Sequence, residues 1–354
     1  MKIGIYSPYL DSLGGGERYV FSLAEHWSQI HNVSVFWDDN KVKAEVQKRF
    51  SIDLAKVSIV ANVFQLGNSI GKLMTTSSYD LIFFLSDGSI PLSAAKYNIL
   101  HFQVPFSHIS MPFWKAFRYQ RIVCNSEFTK KHLDPHLVIP RTVIYPPVDV
   151  SALKPGRKSK ILLSVGRFNG HYGAKKQNVL IETFRKLYKS PLLKGWKLVI
   201  AGGLLSSDTD YFNSLKLKAK GLPVEFYPNC SYETLNTHYS AASIYWHAAG
   251  YGETKPEHME HFGITTVEAM AAGAVPVVFD GGGQPEIIAN RKSGFLWNTT
   301  EELIQETTTL IKNTELRSAM AAAALKSSTA FTKDRFCRSF DALLLDITGT
   351  NKII

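Results

Sequence analysis

The 354 residues exceed the size at which one hydrophobic core keeps growing, and 45% hydrophobic content is ample for packed interiors, so two ordinary domains are expected. No apolar run approaches the roughly 20 residues of a membrane span, and Met1 leads directly into a β-type run rather than a signal-peptide core, so residence in the cytoplasm is expected. The net charge of +10 admits nucleic acid, an anionic membrane or a phosphorylated substrate, while Cys124, Cys230 and Cys337, widely spaced, read as reduced thiols.

In chain order, β-branched or aromatic runs at 2–7, 33–37, 57–60, 81–85, 98–102, 122–125 and 142–145 read as strands. Stretches of helical period, such as 17–31 and 42–50, lie between the first of them. That alternation indicates βαβ units and a parallel sheet. Pro146, Pro147, Pro155 and Gly156 then break the pattern and place a boundary between a first domain, 1–148, and a second, 149–332. Further strands are expected at 161–165, 197–201, 224–227, 243–246, 275–279 and 294–296, with helices at 179–189, 211–220, 265–272 and 301–312. The second half is therefore another doubly wound sheet. The remainder, 333–354, forms a C-terminal helix to which either domain is open, the first included.

Between residues 113 and 141, Lys115, Arg118, Arg121, Lys130, Lys131 and Arg141 outnumber Glu127 and Asp134. Aromatic residues Phe102, Phe106, Phe113, Trp114, Phe117 and Tyr119 run through and beside this cluster. A solvated helix face and a surface resting on an anionic membrane both fit. A nucleic-acid interface needs a recognition helix, a single-strand motif or a dense basic stripe, and none is present.

Three stretches carry chemistry. Gly14-Gly15-Gly16 opens the first helix, where free amides and the helix dipole favour an anion, although a plain flexible turn fits as well. Arg167, after the strand 161–165, and Lys175 or Lys176 can converge on one diphosphate at the carboxyl end of a parallel strand. Glu260 and Glu268 stand eight positions apart across a glycine-bearing loop that opens a helix. Amides near Gly263 would face a phosphate, Glu268 ribose hydroxyls, and Glu260 a sugar, with Ala271-Ala272-Gly273 packing tightly beneath. Asp208-Thr209-Asp210 reads as helix capping rather than a metal motif. His258 and His261 beside Glu257 and Glu260 match no standard zinc spacing. No metal and no resident cofactor are expected.

The run from Glu260 through Phe262, Gly263 and Glu268 to Gly273 resembles the Glu-x7-Glu signature of retaining GT-B glycosyltransferases of family 4. Gly166-Arg167 with a downstream lysine, the N-terminal Gly-Gly turn, and Gly281-Gly282-Gly283 before Pro285-Glu286 match that family in order and spacing. The resemblance implies an α/β GT-B fold, two doubly wound Rossmann-like domains facing a central cleft. It implies transfer of a mannose- or glucose-type hexose from a GDP- or UDP-linked donor to a glycan or lipid-linked acceptor. Arg167 and Lys175 would bind the diphosphate, Phe262, Gly263 and Ile264 would offer it amides, and Glu268 would hold the ribose. Glu260 would contact the sugar, Gly15 and Gly16 would line the cleft, and His101 would stand near the transferred sugar. Trp246-His247 followed by 260–264 is similar to mannosyltransferases that extend lipid-linked oligosaccharides, and a cytoplasmic protein with the inner face of the membrane open to it is expected. The stretch 248–258 departs from the pattern as an insert whose charges suggest a mobile loop. A nucleotide-sugar epimerase or hydrolase of the same fold is the competing enzyme reading.

Overall fold

A computed structural model describes residues 1–11, 14–65, 67–109, 112–170 and 174–349, the side chains of Phe113 and Trp114 lying outside that description. The chain divides into two compact units, Met1–Pro147 together with the chain from Lys333, and Val148–Thr332.

In the first unit, β1 (Lys2–Tyr6), β2 (Asn32–Phe36), β3 (Ser58–Val60), β4 (Leu81–Leu85), β5 (Tyr97–Phe102), β6 (Arg121–Cys124) and β7 (Arg141–Val143) form one parallel sheet. Its order is β3-β2-β1-β4-β5-β6-β7. All five residues of β4, Leu-Ile-Phe-Phe-Leu, are buried, because helices cover both faces of a parallel sheet and leave no side of a central strand wet. The helix Lys333–Thr348 belongs to this unit. Its Phe336, Phe340, Leu343 and Leu344 enter the same core as Tyr19, Trp27 and Phe83. Polar ties reinforce the seat, with His26 Nε2 2.7 Å from Asp341 and Lys333 paired to Glu25.

In the second unit, β8 (Ser159–Val165), β9 (Lys197–Gly202), β10 (Val224–Pro228), β11 (Ala242–His247), β12 (Val275–Phe279) and β13 (Phe295–Trp297) form a parallel sheet of order β10-β9-β8-β11-β12-β13. In each sheet the chain starts in the middle, builds to one side and then to the other. The order reverses between β1 and β4 in the first and between β8 and β11 in the second. Connections leaving the two central strands in opposite directions open a crevice at their carboxyl ends, where ligands of doubly wound folds bind.

Four helices lie outside the stretches expected to be helical from sequence: Ser69–Thr76, Glu127–His132, Tyr232–Ala241 and Thr314–Ser328. Each begins behind a capping side chain, Asn68, Ser126, Ser231 or Asn313, that accepts a hydrogen bond from a first-turn amide. The last of them is alanine-rich, so propensity and cap rather than an apolar stripe specify it. Asp208 stands at the cap position of Thr209–Lys218, yet its side chain makes no capping bond, which corrects the capping expectation for that motif.

Candidate active site

The reversal point of the second sheet gathers charge. Beyond β8, Lys175 reaches across to Glu260, with Nζ donating to Oε2 at 2.7 Å. His247, the last residue of β11, brings Nε2 to 2.9 Å from the same oxygen, without the alignment of a hydrogen bond. Burial alone would raise the Glu260 carboxyl, but the Lys175 ammonium and the close approach of His247 outweigh it and hold the carboxyl well below the usual carboxylate range. Its main chain is held as firmly, since Gly283 N donates to Glu260 O at 2.7 Å. Gly282 (φ +63°) makes that approach possible, because a Cβ there would fall 2.0 Å from Glu260 O.

Gly263, in left-handed backbone, starts the helix Ile264–Ala271. The amides of Gly263, Ile264 and Thr265 have no hydrogen-bond partner among the described residues, as the first donors of a helix must unless something caps them. Phe262 is buried against Phe331, with ring centroids 5.3 Å apart. Glu268, in the second turn, is buried, and its Oε2 accepts from Tyr239 Oη at 2.8 Å. Tyr245 Oη donates at 2.8 Å to Thr265 Oγ1 and so ties β11 to the same helix start. The Arg167 guanidinium is exposed and unpaired among the described residues, while its carbonyl accepts from Gln177 Nε2 at 2.9 Å.

The two lysines have separate partners. Lys176 pairs with Glu253, whose other oxygen lies 3.1 Å from His258 Nδ1. Glu253 of the 248–258 insert therefore meets its own His258 and the lysine that precedes the helix Gln177–Tyr188, while Lys255 is exposed.

In the first unit, His101 lies near the end of β5 and is fully buried. Its Nδ1–H donates to Val123 O at 3.0 Å, and its Nε2 accepts from Gln103 Nε2 at 3.1 Å. The ring stacks on Tyr19 at 4.1 Å. Burial lowers its pKa to about 3, so the imidazole is neutral with a fixed tautomer. Gln103 Nε2 also stands 3.5 Å from Gly16 O, which joins His101 to the glycine turn. Gly15, exposed, and Gly16 form the first turn of the helix Gly15–Trp27, and the Glu17 carboxylate accepts from Gly14 N at 2.8 Å. That turn thus meets its own anion.

Of the residues expected from sequence, Lys175, Glu260 and the Gly263–Ile264 amides converge at one strand reversal, with Glu268 on the same helix and Arg167 after the neighbouring strand. His101, Gly15 and Gly16 form a separate group in the first unit. Sequence reasoning overlooked Tyr239, Tyr245, Gln284 and Gln103 and gave His247 no role. A polar residue at the carboxyl end of a central parallel strand was the available signal for His247.

Two parallel sheets with a charged reversal point define a glycosyltransferase architecture of the GT-B class. The model of the glycosyl transferases group 1 matches residues 149–327, and that of glycosyltransferase family 4 matches residues 13–152. The chain belongs to the family 4 (group 1) glycosyltransferases. The GDP-Man:Man(3)GlcNAc(2)-PP-Dol alpha-1,2-mannosyltransferase of Dictyostelium discoideum is 23% identical over 96% of this chain and 83% of its own length. The Caenorhabditis elegans protein of the same name is 31% identical over 55% of this chain and 44% of its own. The chain thus spans most of the first relative and under half of the second. Among solved structures, Anabaena HepE in complex with UDP shares the fold at 18% identity, with a TM-score of 0.74 over 98% of this chain and 100% of that one. A Rickettsia africae glycosyltransferase does so at 18% identity and a TM-score of 0.75, over 98% of each chain. No helix among the described residues is long and apolar enough to cross a membrane.

Proposed function

We propose that this glycosyltransferase moves a hexose, with retention of anomeric configuration, from a GDP- or UDP-linked donor held by the second unit to a glycan or lipid-linked acceptor. The carrying observation is the Lys175–Glu260 pair beside a helix start whose first amides have no partner. When the bond from the anomeric carbon to the diphosphate breaks, negative charge grows on the diphosphate oxygens. Arg167, Lys175 and the amides of Gly263 and Ile264 supply a fixed positive field for it, which makes a divalent metal unnecessary. Glu260, kept ionised by its neighbours, accepts from a sugar hydroxyl, and Glu268, anchored by Tyr239, accepts from the ribose.

Mannose is the favoured sugar, because the relatives are named as GDP-mannose enzymes acting on a dolichol-linked oligosaccharide. A lipid-linked acceptor fits exposed apolar surface of the first unit, Ile70 and Met74 (each 71% exposed) beside Lys72 and, on a separate segment, Phe117 (79%) between Lys115 and Arg118, whereas Phe102 and Tyr119 of the aromatic run are buried in the core. That surface would rest on the cytoplasmic face of an anionic membrane. Thermal shifts with GDP, UDP, GDP-mannose and UDP-glucose identify the donor, since a ligand at 100 times its Kd stabilises by about 2.7 kcal/mol. NMR of the glycoside formed then reads the anomer. Inversion, or turnover abolished by chelator and restored by manganese, would overturn the mechanism, and no sedimentation with anionic vesicles at low salt would overturn the membrane contact.

A further inference from the structure

His247 and Gln284 are polar side chains that are fully or almost fully buried. Gln284 Nε2 lies 3.4 Å from His247 Nδ1. With the amide nitrogen donating to Nδ1, the ring proton stands on Nε2, the atom that faces Glu260. Gln284 also lies directly under Gly263, where a Cβ would fall 2.6 Å from its Nε2, and it follows Gly283, which holds the Glu260 carbonyl. One short segment thus supports both the helix start and the back of the histidine.

The two oxygens of Glu260 are treated differently. Lys175 and His247 both approach Oε2, whereas Oε1 has no partner among the described residues. A flexible lysine holding one oxygen leaves the carboxylate free to rotate about its last bond. A rigid ring fixed to a strand end does not, because its position is set by the sheet and by Gln284 behind it.

We propose that His247, backed by Gln284, is a positioning residue that locks the Glu260 carboxylate with Oε2 on Lys175 and Oε1 presented to the donor sugar. The assignment rests on the reading of Glu260 as the sugar contact. His247 itself touches no substrate and acts through Glu260. The device is selective for the intact donor, since a bare nucleoside diphosphate offers Oε1 nothing to bind.

The test uses the full chain with His247→Phe, which keeps the ring and removes both nitrogens, and His247→Gln, whose amide nitrogen takes the place of Nε2. His247→Phe is expected to lower kcat about tenfold, the loss of one close polar contact to a charged group. Calorimetry should find GDP and UDP affinity within about twofold of the parent, while any extra affinity for GDP-mannose or UDP-glucose disappears. His247→Gln should restore most of both. A crystal structure of His247→Phe, needing no ligand, should show the Glu260 carboxylate rotated away from Lys175. Nucleotide affinity falling in step with turnover, with no rescue by glutamine, would reduce His247 to a packing residue. A Glu260 carboxylate still on Lys175 in the variant would overturn the lock outright. Glu260→Gln separates the layers: full turnover in that variant sinks the assignment of Glu260, whereas impaired Glu260→Gln beside unimpaired His247→Phe sinks only the role of His247.

Discussion

Two ionisable groups, His101 fully buried and Glu260 largely so, each at the carboxyl end of a parallel sheet, have opposite fates. His101 in the first unit is enclosed by Tyr19, Phe83 and Gln103 with no opposite charge beside it, and it is neutral. Glu260 in the second unit is also screened from water, but Lys175 and His247 are within 3 Å and it is ionised. Burial pushes both toward the neutral form, so the neighbours decide. A neutral ring with both nitrogens bonded is fitted to hold a shape. A paired carboxylate with one oxygen open is fitted to bind a hydroxyl.

Breaking the Lys175–Glu260 pair should have the largest effect. Lys175→Met leaves a half-buried carboxylate without its main counter-charge, and a loss of roughly 2–3 kcal/mol is expected, below the 3–5 of a fully buried pair because both groups keep some exposure. Chemical denaturation measures it. The double variant with Glu260→Gln should regain most of that stability while remaining inactive, and a double variant as unstable as the single would show that the pair is not the cause.

The two glutamates sharpen the contrast next. Glu268→Ala should weaken nucleoside diphosphate and intact donor alike, by roughly 1.5–3 kcal/mol for a charged hydrogen bond. Glu260→Ala should spare the nucleoside diphosphate and lose turnover. Calorimetry with both ligands on both variants decides, and equal nucleotide losses would refute the division of roles.

The effect that is smallest at neutral pH concerns His101, and it grows only as the pH falls. An unfolded imidazole gains its proton near pH 6.5, whereas folded His101 resists until about pH 3. Between those values the unfolded chain binds more protons, so stability falls as the pH falls. His261, held neutral by burial down to about pH 4, adds the same sign from the second unit. His101→Phe should therefore flatten the acid side of the stability curve by up to about 1.4 kcal/mol per pH unit. An unchanged slope from pH 6.5 to 4 would mean that His101 protonates in place.

Sequence alone determined the alternation of strands and helices, because a period of 2 or 3.6 and the prolines and glycines between elements are local properties of the chain. It likewise marked the glycine-bearing stretch from Glu260 to Glu268, since a helix start needs particular residues at fixed offsets. Caps such as Ser231 and Asn313 were also written there, although periodicity passes over the helices behind them. Only the tertiary structure decided which lysine meets Glu260, because Lys175 and Lys176 are adjacent in sequence and diverge through the left-handed backbone at Lys176 (φ +55°). It also brought Gln284, 37 positions along the chain, behind His247, whose other ring nitrogen meets the Glu260 carboxylate. The charge states of His101 and Glu260 depend on what surrounds them in space, and no spacing along the chain encodes a dielectric or a counter-charge delivered by another strand.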